Sequence, residues 1–139
     1  MFDPSREQAR EAFFGAWRKY RAGEPLAGIE ALALQVILLH PEYHDVLSHP
    51  ERSRDKDYFD ESNPFLHMSL HVALEEQLSI DQPPGIGLRF QALASKFQDR
   101  HQALHQALEC LAATVWRAQR ERAAPDAEAY LSCLEKRAR

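Results

Sequence analysis

Seven histidines punctuate the 139-residue chain: His40, His44, His49, His67, His71, His101 and His105. Six of them form three His-x-x-x-His pairs, His40–His44, His67–His71 and His101–His105. Residues four apart on a helix share one face, one turn apart. Two imidazoles so placed can chelate one cation, the arrangement of helical zinc motifs. Two of the pairs run on, four residues later, to a carboxylate: Glu75 and Glu109. That carboxylate rises roughly 12 Å along the axis from the first histidine of its run. The span is long for one mononuclear site. It suits a binuclear one, in which carboxylates bridge or bind a second ion. Helical bundles build such centres from inward-facing His and Glu on several helices.

The two runs are echoes of each other. His67-Met-Ser-Leu-His71-Val-Ala-Leu-Glu75 and His101-Gln-Ala-Leu-His105-Gln-Ala-Leu-Glu109 agree at six of nine positions, at an offset of 34. On a helical wheel His67 falls between Leu74 and Leu78, with His71 beside them. His101 is flanked likewise by Leu104, Leu108, Leu111 and Val115. The imidazoles therefore head toward a core, where they need hydrogen-bond partners or a ligand. The candidate ligands are His67, His71, Glu75, His101, His105 and Glu109, joined by His40 and His44. Pro41 interrupts the last pair, because proline lacks an N–H and disfavours helix at the residue before it. His49 stands alone in a polar segment and reads as solvated. Imidazole-rich ligation suits zinc, iron, copper or nickel, with iron or zinc the expected ion. Two His-His-Glu helices in a bundle are similar, in ligand chemistry alone, to the di-iron logic of hemerythrins.

Two rival readings stand beside the metal site. His71–Glu75 and His105–Glu109 are also the spacing of plain intrahelical hydrogen bonds, which would make the chain a non-catalytic interaction module, a homo-oligomer among its assembly states. His44-Asp45 is the dipeptide of HD-type phosphohydrolases, a minor alternative because a lone His-Asp is common by chance. No Gly-rich phosphate loop, GxSxG elbow or Ser/His/Asp order occurs, and no catalytic residue is assigned.

The elements that must position these groups are helical. Glycines number only five, and no stretch alternates apolar and polar in the manner of a strand. The pattern predicts an all-α fold, a single helical bundle of about five to six helices forming one domain over residues 1–139. A first helix is expected from Ser5 to Arg21 after Asp3-Pro4, with Phe13, Phe14, Trp17 and Tyr20 as its apolar stripe. A second spans Pro25 to Leu39, and a short helical turn resumes from Glu42 to Leu47. Ser48 to Asn63 reads as a surface loop. Asn63-Pro64 starts a third helix that reaches Ser79. Asp81-Gln82-Pro83-Pro84-Gly85 is a turn. A fourth helix covers Ile86 to Phe97, Asp99 caps a fifth that runs to Arg122, and Pro125-Asp126 restart a last one. The metal is expected between the third and fifth helices, with the His40–His44 region nearby.

Bulk properties narrow the class. The chain is 45% hydrophobic and 27% charged, an ordinary globular balance. A net charge of -4 and a pI near 6.0 provide no basic field for nucleic acid or anionic lipid. The longest apolar run, Ala31 to Leu39, is too short to span a bilayer. The first residues lack a signal core. Cys110 and Cys133 read as unpaired thiols suited to a reducing compartment, and a cytoplasmic location is expected.

The segments His40-Pro41-Glu42-Tyr43-His44, Asn63-Pro64-Phe65-Leu66-His67, Glu75-Glu76-Gln77, Asp81-Gln82-Pro83-Pro84-Gly85-Ile86, Glu109-Cys110-Leu111 and Trp116-Arg117-Ala118-Gln119-Arg120 resemble, over essentially the whole length, an uncharacterised bacterial family, mainly proteobacterial, of unknown function. The resemblance implies a compact cytosolic domain. It supplies no activity, cofactor or site residue.

Overall fold

The computed structural model describes residues 6–53 and 63–139. The expected start signal Asp3-Pro4 and part of the expected surface loop lie outside them. Among the described residues the chain forms eight α-helices and one 3-10 turn, with no strand. The helices are α1 (Arg6–Ala22), α2 (Ile29–Leu38), α3 (His44–Ser48), α4 (Pro50–Ser53), α5 (Pro64–Ile80), α6 (Ile86–Phe97), α7 (Arg100–Glu121) and α8 (Ala127–Ala138), and the 3-10 turn is Pro41–Tyr43.

The all-α class is as expected, and the count exceeds the expected five to six. Prolines account for the surplus. Pro41 opens the 3-10 turn and Pro50 opens α4, each at the first helical position, where its missing N–H costs nothing. The start of the segment expected as a loop is therefore helical over Pro50–Ser53. The second helix begins at Ile29 rather than Pro25. Gly28, at φ +59, stands outside the right-handed helical region and sets the boundary.

The chain divides into two compact units, Phe2–Val72 and Ala73–Arg139, and the division falls within α5. In the first unit, α1 packs on α2 and α3. Its core joins Phe13, Phe14 and Trp17 of α1 to Val36 and Ile37 of α2 and to Phe65, Met68 and Val72 of α5. Phe14 and Phe65 meet edge to face at 5.4 Å. Each large apolar side chain so buried contributes about 1.5–3 kcal/mol. Tyr20, expected in the buried stripe, is 46% exposed and packs beside Trp17.

In the second unit α6, α7 and α8 pack on one another. The buried Tyr130 hydroxyl of α8 donates to Gln77 Oε1 of α5 at 2.8 Å. Burial pushes the Tyr130 phenol well above its ordinary range, so it stays a protonated donor. Cys110 of α7 and Cys133 of α8 form a disulfide, their Cα atoms 5.9 Å apart. This corrects the expectation of two unpaired thiols. Neighbouring helices bring the sulfurs within bridging reach, and the inference of a reducing compartment that rested on free thiols loses its basis. No described helix is long and apolar enough to cross a membrane.

The expected turn joins α5 to α6. Asp81 Oδ1 accepts from Gly87 N at 2.9 Å, and Oδ2 accepts from Gly85 N at 3.2 Å. Gly85 adopts φ +95, and a Cβ there would meet Arg89 Nη1 at 2.5 Å. That guanidinium donates back to the Gly85 carbonyl and pairs with Glu135 of α8 at 3.0 Å.

Two outcomes are expected. Asp99 is extended and its carboxylate accepts from His101 N and Gln102 N at the head of α7. Asp99→Ala should lower stability by about 1 kcal/mol in denaturant titration. The backbone N–H groups of Gly87, then of Gly85, hold the Asp81 carboxyl below its ordinary range. A depressed folded-state pKa adds stability above the unfolded value and loses it as pH falls through the folded one. The stability gap between the wild type and Asp81→Asn should therefore be widest near neutrality and close in acid, read from melts across pH.

Candidate metal centre

The exit from α2 sets the first part of the site. In a continuing helix the Ile37 carbonyl would accept from the N–H of residue 41, which is proline and has none. The structure satisfies that carbonyl twice, from His40 N at 3.0 Å and from His44 Nε2 at 2.9 Å. The Val36 carbonyl accepts from His40 Nδ1 at 2.8 Å. A carbonyl can only accept, so His40 carries its proton on Nδ1. Its Nε2 lone pair faces away from α2. His40 is 1% exposed.

The start of α5 sets the second part. Asn63 Oδ1 accepts from Phe65 N and Leu66 N, and Pro64 occupies the first helical position, the N-cap expected from the sequence. One turn in, His67 and His71 stack along one face with their Nε2 atoms 3.2 Å apart. His67 Nε2 also lies 3.2 Å from His40 Nε2. His71 is fully buried and His67 half-buried. The His40 and His71 ring centroids are 4.6 Å apart. Ring nitrogens of all three residues lie within 4.8 Å of one another.

This geometry has a chemical consequence. With the proton of His40 on Nδ1, its Nε2 can only accept, and a single proton on His67 Nε2 could serve one of its two close Nε2 neighbours at a time. Replacing it with a cation lets all three imidazoles present lone pairs at once. Four tetrahedral nitrogens at 2.0–2.1 Å from an ion stand about 3.3 Å apart, close to the two 3.2 Å separations. The His40 Nδ1–H to backbone carbonyl bond is also the usual outer contact of a ligating histidine, fixing its tautomer and orientation.

Tyr43 closes one side. Its ring stacks on His40 with centroids 5.4 Å apart and meets His67 edge-on at 6.2 Å. Burial first, then the Glu42 carboxylate, raises the Tyr43 phenol above its ordinary range, which keeps it protonated.

The other sequence-derived candidates make the following contacts. His44 turns to the Ile37 carbonyl and stacks on Trp17 at 4.4 Å. Its neighbour Asp45 is 81% exposed at the side chain. His49 Nδ1 lies 2.9 Å from the Asp45 carbonyl at the surface. In the unit Ala73–Arg139, His101 and His105 sit near the head of α7 with Nε2 atoms 3.0 Å apart, half-buried and exposed respectively. The two carboxylates hold guanidinium groups. Arg100 donates in parallel to both oxygens of Glu75 at 2.9 and 3.0 Å, and Arg137 pairs with Glu109. The residues that sequence reasoning did not single out are Val36, through its carbonyl, and Tyr43. The signal for Val36 was Pro41, whose missing N–H disturbs the hydrogen bonding of the preceding turn.

An all-helical chain with a buried imidazole cluster is the class these features define. The chain belongs to the family described as Domain of unknown function (DUF1841), which it matches over residues 5–136. The match bears out the whole-length resemblance to a family of unknown function. No curated protein and no solved structure matches it.

His44 and His67 should separate cleanly by mutation. His44→Ala removes the donor to Ile37 and the Trp17 stack, and should cost about 1–3 kcal/mol of stability. Equilibrium unfolding checks the loss, and elemental analysis of the same sample should find metal content unchanged.

Proposed function

We propose that the protein is a transition-metal-binding helical protein whose ion, zinc or iron, is held by His40, His67 and His71. The observation that carries this reading is the meeting of three Nε2 atoms, two pairs of them at 3.2 Å, with His40 already oriented by its Nδ1–H bond to Val36. Three neutral imidazoles would supply three ligand nitrogens, the number that catalytic zinc sites commonly take from the protein. An ion held there would supply a Lewis acid able to polarise a bound oxygen. Metal-assisted hydrolytic chemistry is the class this supports for zinc, and redox chemistry the class for iron.

The echo of His67–His71 in His101–His105 brings the second pair into the proposal as chelating residues. The 3.0 Å Nε2 separation supports it. Glu75 and Glu109 enter as ligands only by giving up Arg100 and Arg137, so the imidazoles bear most of the reading.

Metal analysis of untagged protein tests this. The wild type should carry about one equivalent or more of zinc or iron per chain and melt higher when that ion is added. His67→Ala should fall well below one equivalent, and His101→Ala with His105→Ala should reduce the content or the affinity. A wild type that retains little metal and shows no thermal response to Zn²⁺ or Fe²⁺ would leave the histidines as core hydrogen-bonding groups of an interaction module.

A further inference from the structure

The unit Ala73–Arg139 carries a second reactive group that the histidines do not involve. The Cys110–Cys133 bridge faces a cavity of about 430 Å³ lined by both cysteines, Thr114, Arg117, Ala118 and Asp126. The two cysteines differ in access. Cys110 is 1% exposed, whereas Cys133 is half-buried at the cavity wall. Arg117, seven residues beyond Cys110, lies on the same face of α7 and brings a guanidinium to the cavity, where its Nε also donates to Glu121 at 3.3 Å. A nearby positive charge stabilises a thiolate.

We propose that Cys133 is a thiol–disulfide exchange site whose partner is a dithiol. A thiolate of that dithiol attacks Cys133 Sγ, forming a mixed disulfide and breaking the bond to Cys110. Cys110 leaves as a thiolate and takes a proton. The second thiol of the reductant then attacks the mixed disulfide, leaves as the oxidised dithiol and releases Cys133 as a thiolate, which is protonated in turn. Two electrons and two protons pass to the protein.

The fold is built to survive this step, because α8 is also held without the bridge. Tyr130 is bonded to Gln77, and Leu134 is fully buried. Arg89 pairs with Glu135 and Arg137 with Glu109, while Lys96 Nζ donates to the carbonyls of Arg137 and Arg139. Exchange then alters the wall of the cavity and leaves α8 in place.

The whole chain, incubated in graded mixtures of reduced and oxidised dithiothreitol, provides the test. Maleimide labelling followed by mass analysis should show two thiols appearing together under native conditions. Helical circular dichroism should be retained, and oxidised dithiothreitol should reverse the change. With oxidised glutathione, Cys110→Ser should acquire one glutathione at Cys133, and Cys133→Ser should stay unmodified until denaturant is added. Thiols that appear only on unfolding, thiols already free in protein prepared without reductant, or capture at Cys110 in folded Cys133→Ser would each overturn the proposal. The wild-type labelling decides by itself should either variant fail to fold.

Discussion

The imidazole cluster depends on a missing hydrogen. Pro41 has no N–H to give the Ile37 carbonyl, and the chain leaves α2 at His40, whose backbone lies at φ -129, ψ 68. Leu39 N reaches the Val36 carbonyl and His40 N the Ile37 carbonyl, and two side chains add to them. His44 supplies Ile37, and His40 supplies Val36 through Nδ1. The second of these bonds fixes both the tautomer and the direction of the ring. A polar demand of the backbone, created by one proline, thus turns one histidine outward from α2 toward His67 and turns its partner away.

This explains why His40 and His44 behave differently although they share the spacing of the other pairs. The interval His-x-x-x-His means a common face only where the helix is unbroken. It holds on α5, where His67 and His71 come within 3.2 Å, and near the head of α7, where His101 and His105 come within 3.0 Å. Between His40 and His44 lies the 3-10 turn Pro41–Tyr43, so the two rings diverge. The carboxylates show the complementary effect. Glu75 and Glu109 share the faces of their histidines in the sequence pattern. Arg100 and Arg137 nonetheless reach them from elsewhere in the fold, a bidentate pair in the first case.

Much of the fold was legible because it is written locally. Asn63-Pro64, Asp81 to Gly85, and Asp99 each declare a boundary through a short-range cap or turn, and the structure finds each in place. The apolar periodicity of Phe13, Phe14 and Trp17 likewise gives the buried face of α1. What escaped was non-local or too short to show a period. The four-residue helix at Pro50 offers too few turns for a wheel to read. The disulfide joins residues 23 apart, and no local pattern marks a partnership that depends on how α8 lies on α7. The imidazole cluster was legible in outline: spacing revealed the pair on α5 and offered His40 with His44, and the structure separates these two, His40 meeting His67 while His44 turns to Ile37.

The turn before α6 has one further consequence. Arg89 lays its guanidinium where a side chain on residue 85 would begin, 2.5 Å from a Cβ built there. The same group reaches Glu135 on α8. The vacancy left by glycine is thus already occupied, and by a residue that, with Lys96, tethers α6 to α8. A larger amino acid at this corner would carry the strain of φ +95 and would have to push aside the end of that side chain, so a change in the bend bears on a contact made some fifty positions later.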